Sequence, residues 1–217
     1  NKIGVTVRGA GTGTLRITGI EDRGCAEHSI IPDRVEAGTF MVAAAATGGD
    51  VVIKGVIPRH LEAVTAKLRE SGVLIEEGDD WIKVQGPARG KAIDVRTFPY
   101  PGFPTDLQQP LASYLAVCTG TSIITENIFE NRFRYVDELK RMGANIKVEG
   151  RAAVIEGVDE ILGATVHPFD LRASSALIIA GLIARGETRV SGVEHLRRGY
   201  HDFIGKLQGL GADIELI

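Results

Sequence analysis

A chain of 217 residues that is 44% apolar can bury one large or two modest cores, which excludes a disordered chain. Its formal net charge of -3 comes from interspersed acids and bases, so a general nucleic-acid or membrane-binding surface is excluded and any anion site must be local. Cys25 and Cys118 have neither the count of a disulfide framework nor a CxxC metal spacing, and no apolar stretch is long enough to span a bilayer; with no basic-then-apolar leader at the start, the expected compartment is the cytoplasm.

The chain opens on Asn1 and not on Met, which fits a start inside a longer protein. In residues 1–30, Val5-Thr6-Val7-Arg8 and Leu15-Arg16-Ile17-Thr18 alternate like the two strands of a hairpin, expected to complete the sheet of a preceding domain. Between them, Gly9-Ala10-Gly11-Thr12-Gly13 is not a phosphate loop, because a strand and not a helix follows and no Gly-Lys-Ser/Thr is present; it reads as a hairpin turn.

Residues 31–217 read as one domain of three related blocks, about 31–86, 92–157 and 164–217. The string Leu68-Arg69-Glu70-Ser71-Gly72-Val73-Leu74-Ile75 recurs as Leu139-Lys140-Arg141-Met142-Gly143-Ala144-Asn145-Ile146 and as Leu207-Gln208-Gly209-Leu210-Gly211-Ala212-Asp213-Ile214. Each block opens with a run apolar nearly all round, such as Phe40 to Ala46 or Ala176 to Ile183, and such a helix belongs inside. A short β-rich strand follows, then an amphipathic helix carrying Leu61, Val64 and Leu68, or Val136 and Leu139, or Phe203, Ile204 and Leu207. The Gly after each amphipathic helix fits a left-handed cap before the return into a sheet. The expected fold is α/β: three β-α-β-α-β-β units around a pseudo-threefold axis, with apolar helices inside and sheets and amphipathic helices outside.

The three buried helices begin at Pro32-Asp33-Arg34-Val35-Glu36, Phe103-Pro104-Thr105-Asp106-Leu107 and Phe169-Asp170-Leu171-Arg172-Ala173-Ser174. Asp33, Thr105 and Asp170 are good N-caps, and capping alone explains each start taken singly. Parallel helices would also bring three positive dipole ends to one face, where an anion is favoured. Arg34 and Arg172 in first turns oppose that dipole unless an acid or an anionic ligand offsets them. Asp106 follows a stiff loop, Phe98-Pro99-Tyr100-Pro101-Gly102-Phe103-Pro104, where a carboxylate can serve as general base or simply favour the dipole. Arg132 and Arg198 precede the second and third amphipathic helices, placed for phosphate or carboxylate binding or for surface ion pairs. His28, His60, His167, His195 and His201 lack i, i+4 spacing, so no metal site is expected, and the cysteines form no Cys/His nucleophile pattern.

Five strings in order carry a family resemblance: Asp33 to Phe40, Phe103-Pro104-Thr105-Asp106, Phe129-Glu130-Asn131-Arg132-Phe133, Asp170 to Ser174, and Arg198-Gly199-Tyr200. Together they resemble the UDP-N-acetylglucosamine 1-carboxyvinyltransferase family over essentially the whole chain. The resemblance implies the C-terminal half of a two-domain enolpyruvyl transferase, each domain an inside-out α/β barrel of three repeated units. It implies transfer of enolpyruvyl from phosphoenolpyruvate to the 3'-hydroxyl of UDP-N-acetylglucosamine, the first committed step of peptidoglycan synthesis, with no cofactor.

The residue roles it implies are Asp106 as the base, the backbone near Ile128 as a nucleotide-sugar contact, and Arg198 as the phosphoenolpyruvate ligand. Arg132 and Arg172 would add positive charge, Asp170 would assist at the reacting centre, and Asp33 and Arg34 would link to the other domain. The family's proton-donating Cys or Asp loop and its Lys-Asn pair are absent here, so the chain alone is expected not to turn over and to need the N-terminal domain. That domain's own start would also supply a strand to this one. Its nearest rival is 5-enolpyruvylshikimate-3-phosphate synthase, against which the FPTD and ENRF strings speak; a non-catalytic domain of the same fold would have no need for cations at helix starts.

Overall fold

The computed structural model describes residues 1–22 and 24–217. The chain divides into two compact units, Asn1–Ile31 and Pro32–Ile217. The first holds an antiparallel hairpin, β1 (Thr6–Arg8) with β2 (Arg16–Thr18), Val7 lying opposite Ile17. Gly9 and Gly11 turn between the strands with positive φ, so the glycine string is a turn.

The second unit begins with α1 (Arg34–Thr47), β3 (Asp50–Lys54), a 3-10 turn at Pro58–Leu61, α2 (Glu62–Glu70), β4 (Leu74–Glu77) and β5 (Trp81–Gln85). Its middle part is β6 (Val95–Arg96), α3 (Thr105–Leu115), β7 (Thr121–Thr125), α4 (Val136–Arg141), β8 (Asn145–Glu149) and β9 (Ala152–Glu156). The last part is β10 (Thr165–Val166), α5 (Leu171–Ile183), β11 (Arg189–Val190), a 3-10 helix at Val193–Arg198 and α6 (Phe203–Gly209).

α1, α3 and α5 pack on one another, and their residues from Ala37 to Ala45, Leu107 to Leu115 and Ala173 to Ala180 are buried on every face, the polar Gln108, Gln109 and Ser113 included. Helices with no wet side can be stable only as a core. α1 and α3 approach closely at Gly38, where an added Cβ would stand 2.3 Å from Leu107 Cδ1. The Ser113 hydroxyl donates to the Ala176 carbonyl at 2.7 Å, joining α3 to α5 without leaving the buried hydroxyl unpaired.

The sheets lie on the outer side of these helices. One has the order β3-β5-β4, antiparallel throughout, with Ile53 opposite Ile82 and Ile75 opposite Val84. The second has the order β6-β7-β9-β8, β6 running parallel to β7 with Val95 opposite Ile124. The third contains β10 and β11 alone, parallel, Val166 opposite Val190. α2, α4 and α6 cover them through the apolar stripes read from the sequence: Leu61, Val64, Leu68, Val136, Leu139, Phe203 and Leu207 are buried, Ile204 partly so. Burying each Leu or Phe of these stripes contributes about 1.5–3 kcal/mol.

Gly72, Gly143 and Gly211 follow the three amphipathic helices with φ of 97°, 94° and 94°. Val73, Ala144 and Ala212 then donate back to Leu68, Leu139 and Leu207, closing each helix by the same two-bond cap. Among the described residues only the middle part carries all six elements of the expected unit. The first lacks the strand before its buried helix, and the last lacks the two strands after α6, where residues 212–217 run without a ladder partner. A groove lined by Ile178, Leu182, Val190, Ile204 and Ile214 lies open beside β11. Strand propensity becomes a strand only where another strand satisfies its backbone groups.

Candidate functional site

The three buried helices start on the same side. Gly38 of α1 touches Leu107 of α3, and the Tyr200 hydroxyl bonds both Thr39 of α1, at 2.9 Å, and Ser175 of α5, at 3.2 Å. Gly38, Thr39, Leu107 and Ser175 all lie within the first two turns of their helices. The positive ends of three helix dipoles therefore converge, and between them one carboxylate is held by two guanidiniums.

That carboxylate is Asp106. Its Oδ1 accepts from Arg132 Nη2 at 2.7 Å, and its Oδ2 accepts from Arg172 Nε and Nη2 at 3.1 and 3.0 Å. Asp106 comes from the middle repeat, Arg132 from the loop before α4, and Arg172 from the first turn of α5. The apparent misplacement of a cation in that turn is thus offset by a neighbouring acid. Arg132 and Arg172 are largely buried, with side chains 17% and 12% exposed, whereas Asp106 remains 33% exposed. Burial opposes the charge on Arg172, and the Tyr200 hydroxyl and the Asp106 carboxylate outweigh it, holding the guanidinium above its ordinary pKa. Each guanidinium keeps a buried N–H without a protein acceptor, Arg132 Nε and Arg172 Nη1. A carboxylate has about four lone-pair positions. With three taken, Asp106 can still receive one hydroxyl from the solvent side, and the two guanidiniums can share their charge with an anion beside it.

The other candidates stand apart from this cluster. Asp33 caps α1 through the amides of Val35 and Glu36, and Asp170 caps α5 through those of Arg172 and Ala173. The Arg34 guanidinium stacks over the Tyr100 ring at 5.0 Å. Arg198 closes the 3-10 helix Val193–Arg198 and is exposed. Ile128 lies on the loop after β7, and its amide already donates to Glu126, which leaves its carbonyl as the group available to a ligand. Thr105 does not cap α3 as expected. Pro104 occupies the cap position with no side-chain cap bond, and Thr105, one residue inside, turns its hydroxyl to Glu126.

Two residues that matter to this geometry had no role in the sequence reading. Tyr200 is in sequence only the last residue of the Arg198-Gly199-Tyr200 string, yet its ring lies 5.2 Å from the Arg172 guanidinium and its hydroxyl ties α1 to α5. Glu126 is 1% exposed and accepts four hydrogen bonds, from the hydroxyls of Thr97 and Thr105 and the amides of Ile128 and Phe129. A signal for it was present: a charged residue directly after a strand whose sister strand, β3, is followed by Gly55. Among the described residues no cluster of three or more His, Cys, Asp or Glu could hold a metal ion, and no helix is long and apolar enough to cross a membrane.

Comparison with known proteins accords with this arrangement. The family model described as EPSP synthase (3-phosphoshikimate 1-carboxyvinyltransferase) matches residues 1–207. UDP-N-acetylglucosamine 1-carboxyvinyltransferase 3 of Caldanaerobacter subterraneus subsp. tengcongensis is 56% identical over 214 residues, 99% of this chain and 51% of that protein. A protein of the same name from Desulfofundulus thermocisternus is 56% identical over 215 residues, 99% of this chain and 88% of that one. Among solved structures, the enolpyruvyl transferase NikO from Streptomyces tendae superposes with a TM-score of 0.83 at 25% identity, covering 99% of this chain and 51% of its own. The EPSP synthase of Acinetobacter baumannii, at 20% identity and a TM-score of 0.67, shares the fold. The chain spans about half the length of most of these relatives. It belongs to the EPSP synthase family of carboxyvinyl transferases, and within it to the UDP-N-acetylglucosamine 1-carboxyvinyltransferases, with the enolpyruvyl transferase fold.

Proposed function

We propose that this chain is the C-terminal half of an enzyme that transfers enolpyruvyl from phosphoenolpyruvate to the 3'-hydroxyl of UDP-N-acetylglucosamine, in the cytoplasm, as the committed step of peptidoglycan synthesis. The observation that carries the reading is the Asp106 carboxylate, one-third exposed and held between two largely buried guanidiniums where three helix dipoles converge. Asp106 receives the proton of the sugar hydroxyl as its oxygen adds to C2 of phosphoenolpyruvate, while a donor on the N-terminal domain protonates C3. Elimination then removes a proton from C3 and expels inorganic phosphate from C2, which restores the double bond. Arg132, Arg172 and Arg198 bind the phosphate and carboxylate charge, and the Ile128 carbonyl contacts the nucleotide sugar.

Asp170 supports the reacting centre from the start of α5, and Asp33 and Arg34 meet the N-terminal domain. A strand from that domain's beginning fills the groove beside β11 and completes the third sheet. No cofactor enters the scheme.

The test is release of phosphate from phosphoenolpyruvate in the presence of UDP-N-acetylglucosamine, with this chain alone and with the N-terminal half added. Turnover is expected only from the two together and not from Asp106→Ala. Equal acceptance of shikimate 3-phosphate, or turnover by the chain alone, would overturn the reading.

A further inference from the structure

The ends of the three strands that follow the buried helices occupy corresponding places in the three repeats. Directly after β3 stands Gly55 with φ of 66°, and after β11 and Ser191 stands Gly192 with φ of 70°, the position that matches Gly55 when the repeats are aligned on Gly49 and Gly186. Both turn in the left-handed region and lead into a 3-10 helix, at Pro58–Leu61 and at Val193–Arg198. After β7 the residue is Glu126, and the chain goes instead through an open loop carrying Asn127, Ile128 and Phe129. The middle repeat has replaced an inexpensive turn with a buried carboxylate, and burial of an ionised group is costly unless every oxygen is satisfied.

The satisfying groups define what the carboxylate does. Oε1 accepts from the Ile128 and Phe129 amides at 2.7 and 3.1 Å and from the Thr97 hydroxyl at 2.8 Å. Oε2 accepts from the Thr105 hydroxyl at 2.7 Å. Thr97 in turn accepts from the Asn127 amide at 2.9 Å. One side chain therefore ties the loop bearing Ile128 to the first turn of α3, one residue before Asp106.

That turn needs the tie. Pro110 lies inside α3 and has no N–H, so the carbonyl of Asp106, four residues earlier, lacks its ladder donor. The segment bearing the site carboxylate is thereby relieved of a backbone bond and secured instead by the Thr105–Glu126 bond.

We infer that Glu126 is a positioning residue: it sets the distance between the Ile128 carbonyl and the Asp106 carboxylate, and so governs how the sugar nucleotide is gripped. This rests on the function proposed above. Glu126→Gln keeps the shape but presents an NH2 on one side, so either the loop amides or Thr105 lose a charged acceptor.

In the complete two-domain enzyme this variant is expected to raise KM for UDP-N-acetylglucosamine by about tenfold, with KM for phosphoenolpyruvate within about twofold and little change in melting temperature. Thr105→Ser, which keeps the hydroxyl, should retain wild-type constants, and Thr105→Val should move them in the direction of Glu126→Gln. In this chain alone, amide exchange at Ile128 and Phe129 should speed up in Glu126→Gln while exchange in β7 does not change. A variant that loses melting temperature with both KM values unaltered would reduce Glu126 to a structural residue and overturn the inference. Absence of turnover in the wild-type enzyme would instead sink the proposed function; the exchange arm still decides the loop-fixing claim, and unchanged protection there overturns it.

Discussion

Asp106→Asn tests the electrostatics of the site most directly, because the substitution preserves shape and removes one charge. The carboxylate accepts three charge-assisted bonds, one from Arg132 and two from Arg172. An amide oxygen can face only one of these arginines. Kept toward Arg172, it accepts two weaker bonds as an uncharged acceptor and points an NH2 at Arg132 Nη2; reversed, it opposes both Arg172 donors. Bonds to charged groups are worth about 1.5–3 kcal/mol each and unpaired buried charges cost comparable amounts, so a dry site would lose roughly 3–5 kcal/mol. Asp106 is 33% exposed, and water takes up part of the loss, leaving about 1–3 kcal/mol. Urea unfolding in phosphate-free buffer should register this as a lower midpoint with an unchanged slope. Phosphate should restore the variant more than it raises the wild type, since in the wild type the carboxylate competes for the same guanidiniums; at about 100 times Kd the gain is about 2.7 kcal/mol. Equal midpoints and equal phosphate responses would refute the claim that these two arginines form an anion site held in check by Asp106.

Gly38→Ala should lower stability by about 1–3 kcal/mol, because the new methyl meets fully buried Leu107 and the α1–α3 contact must spread; a Tm equal to wild type would show that the core yields there. Burial pushes the Cys118 thiol from 9.0 up to about 11, so its contribution is complete below pH 9 and is lost as pH rises toward 11, by about 2 kcal/mol. Cys118→Ala should flatten melting temperature against pH over the first half of that window, before the Tyr114 hydroxyl, also raised by burial, takes over; an identical slope would contradict this. A thiol reagent at pH 8 should modify one cysteine of the native chain, exposed Cys25, and a second only in denaturant; two fast equivalents would mean that Cys118 is accessible.

Much of the architecture was legible because it rests on local rules repeated three times. An all-apolar helix has one destination, and glycines at Gly72, Gly143 and Gly211 announce left-handed caps whatever the surrounding fold. The joining of Asp106 to Arg172 was not legible, since the two lie 66 residues apart and meet only when two repeats pack. Local reasoning could see that Arg172 opposed a dipole, but not which acid compensated it. Thr105 misled for a different reason: its type suits a cap, yet Pro104, at φ −72° and ψ 133°, already provides the extended entry, and the freed hydroxyl serves Glu126. Strand content was over-read at the end of the last repeat, where sequence supplies propensity but no partner.

The two-stranded sheet of that last repeat bears on how the chain meets a protease. Ladders of two residues, β10 and β11, give little protection against local opening, in contrast to the four-stranded sheet of the middle repeat. Within residues 32–217, the exposed arginines around and beyond β11, Arg185, Arg189, Arg197 and Arg198, are therefore where trypsin should nick first. The residue proposed above to bind phosphoenolpyruvate, Arg198, is thus carried by the most weakly laddered of the three repeats. Slower cleavage at Arg198 when the N-terminal half is added, with no substrate present, is the outcome expected if the proposed strand closes the third sheet.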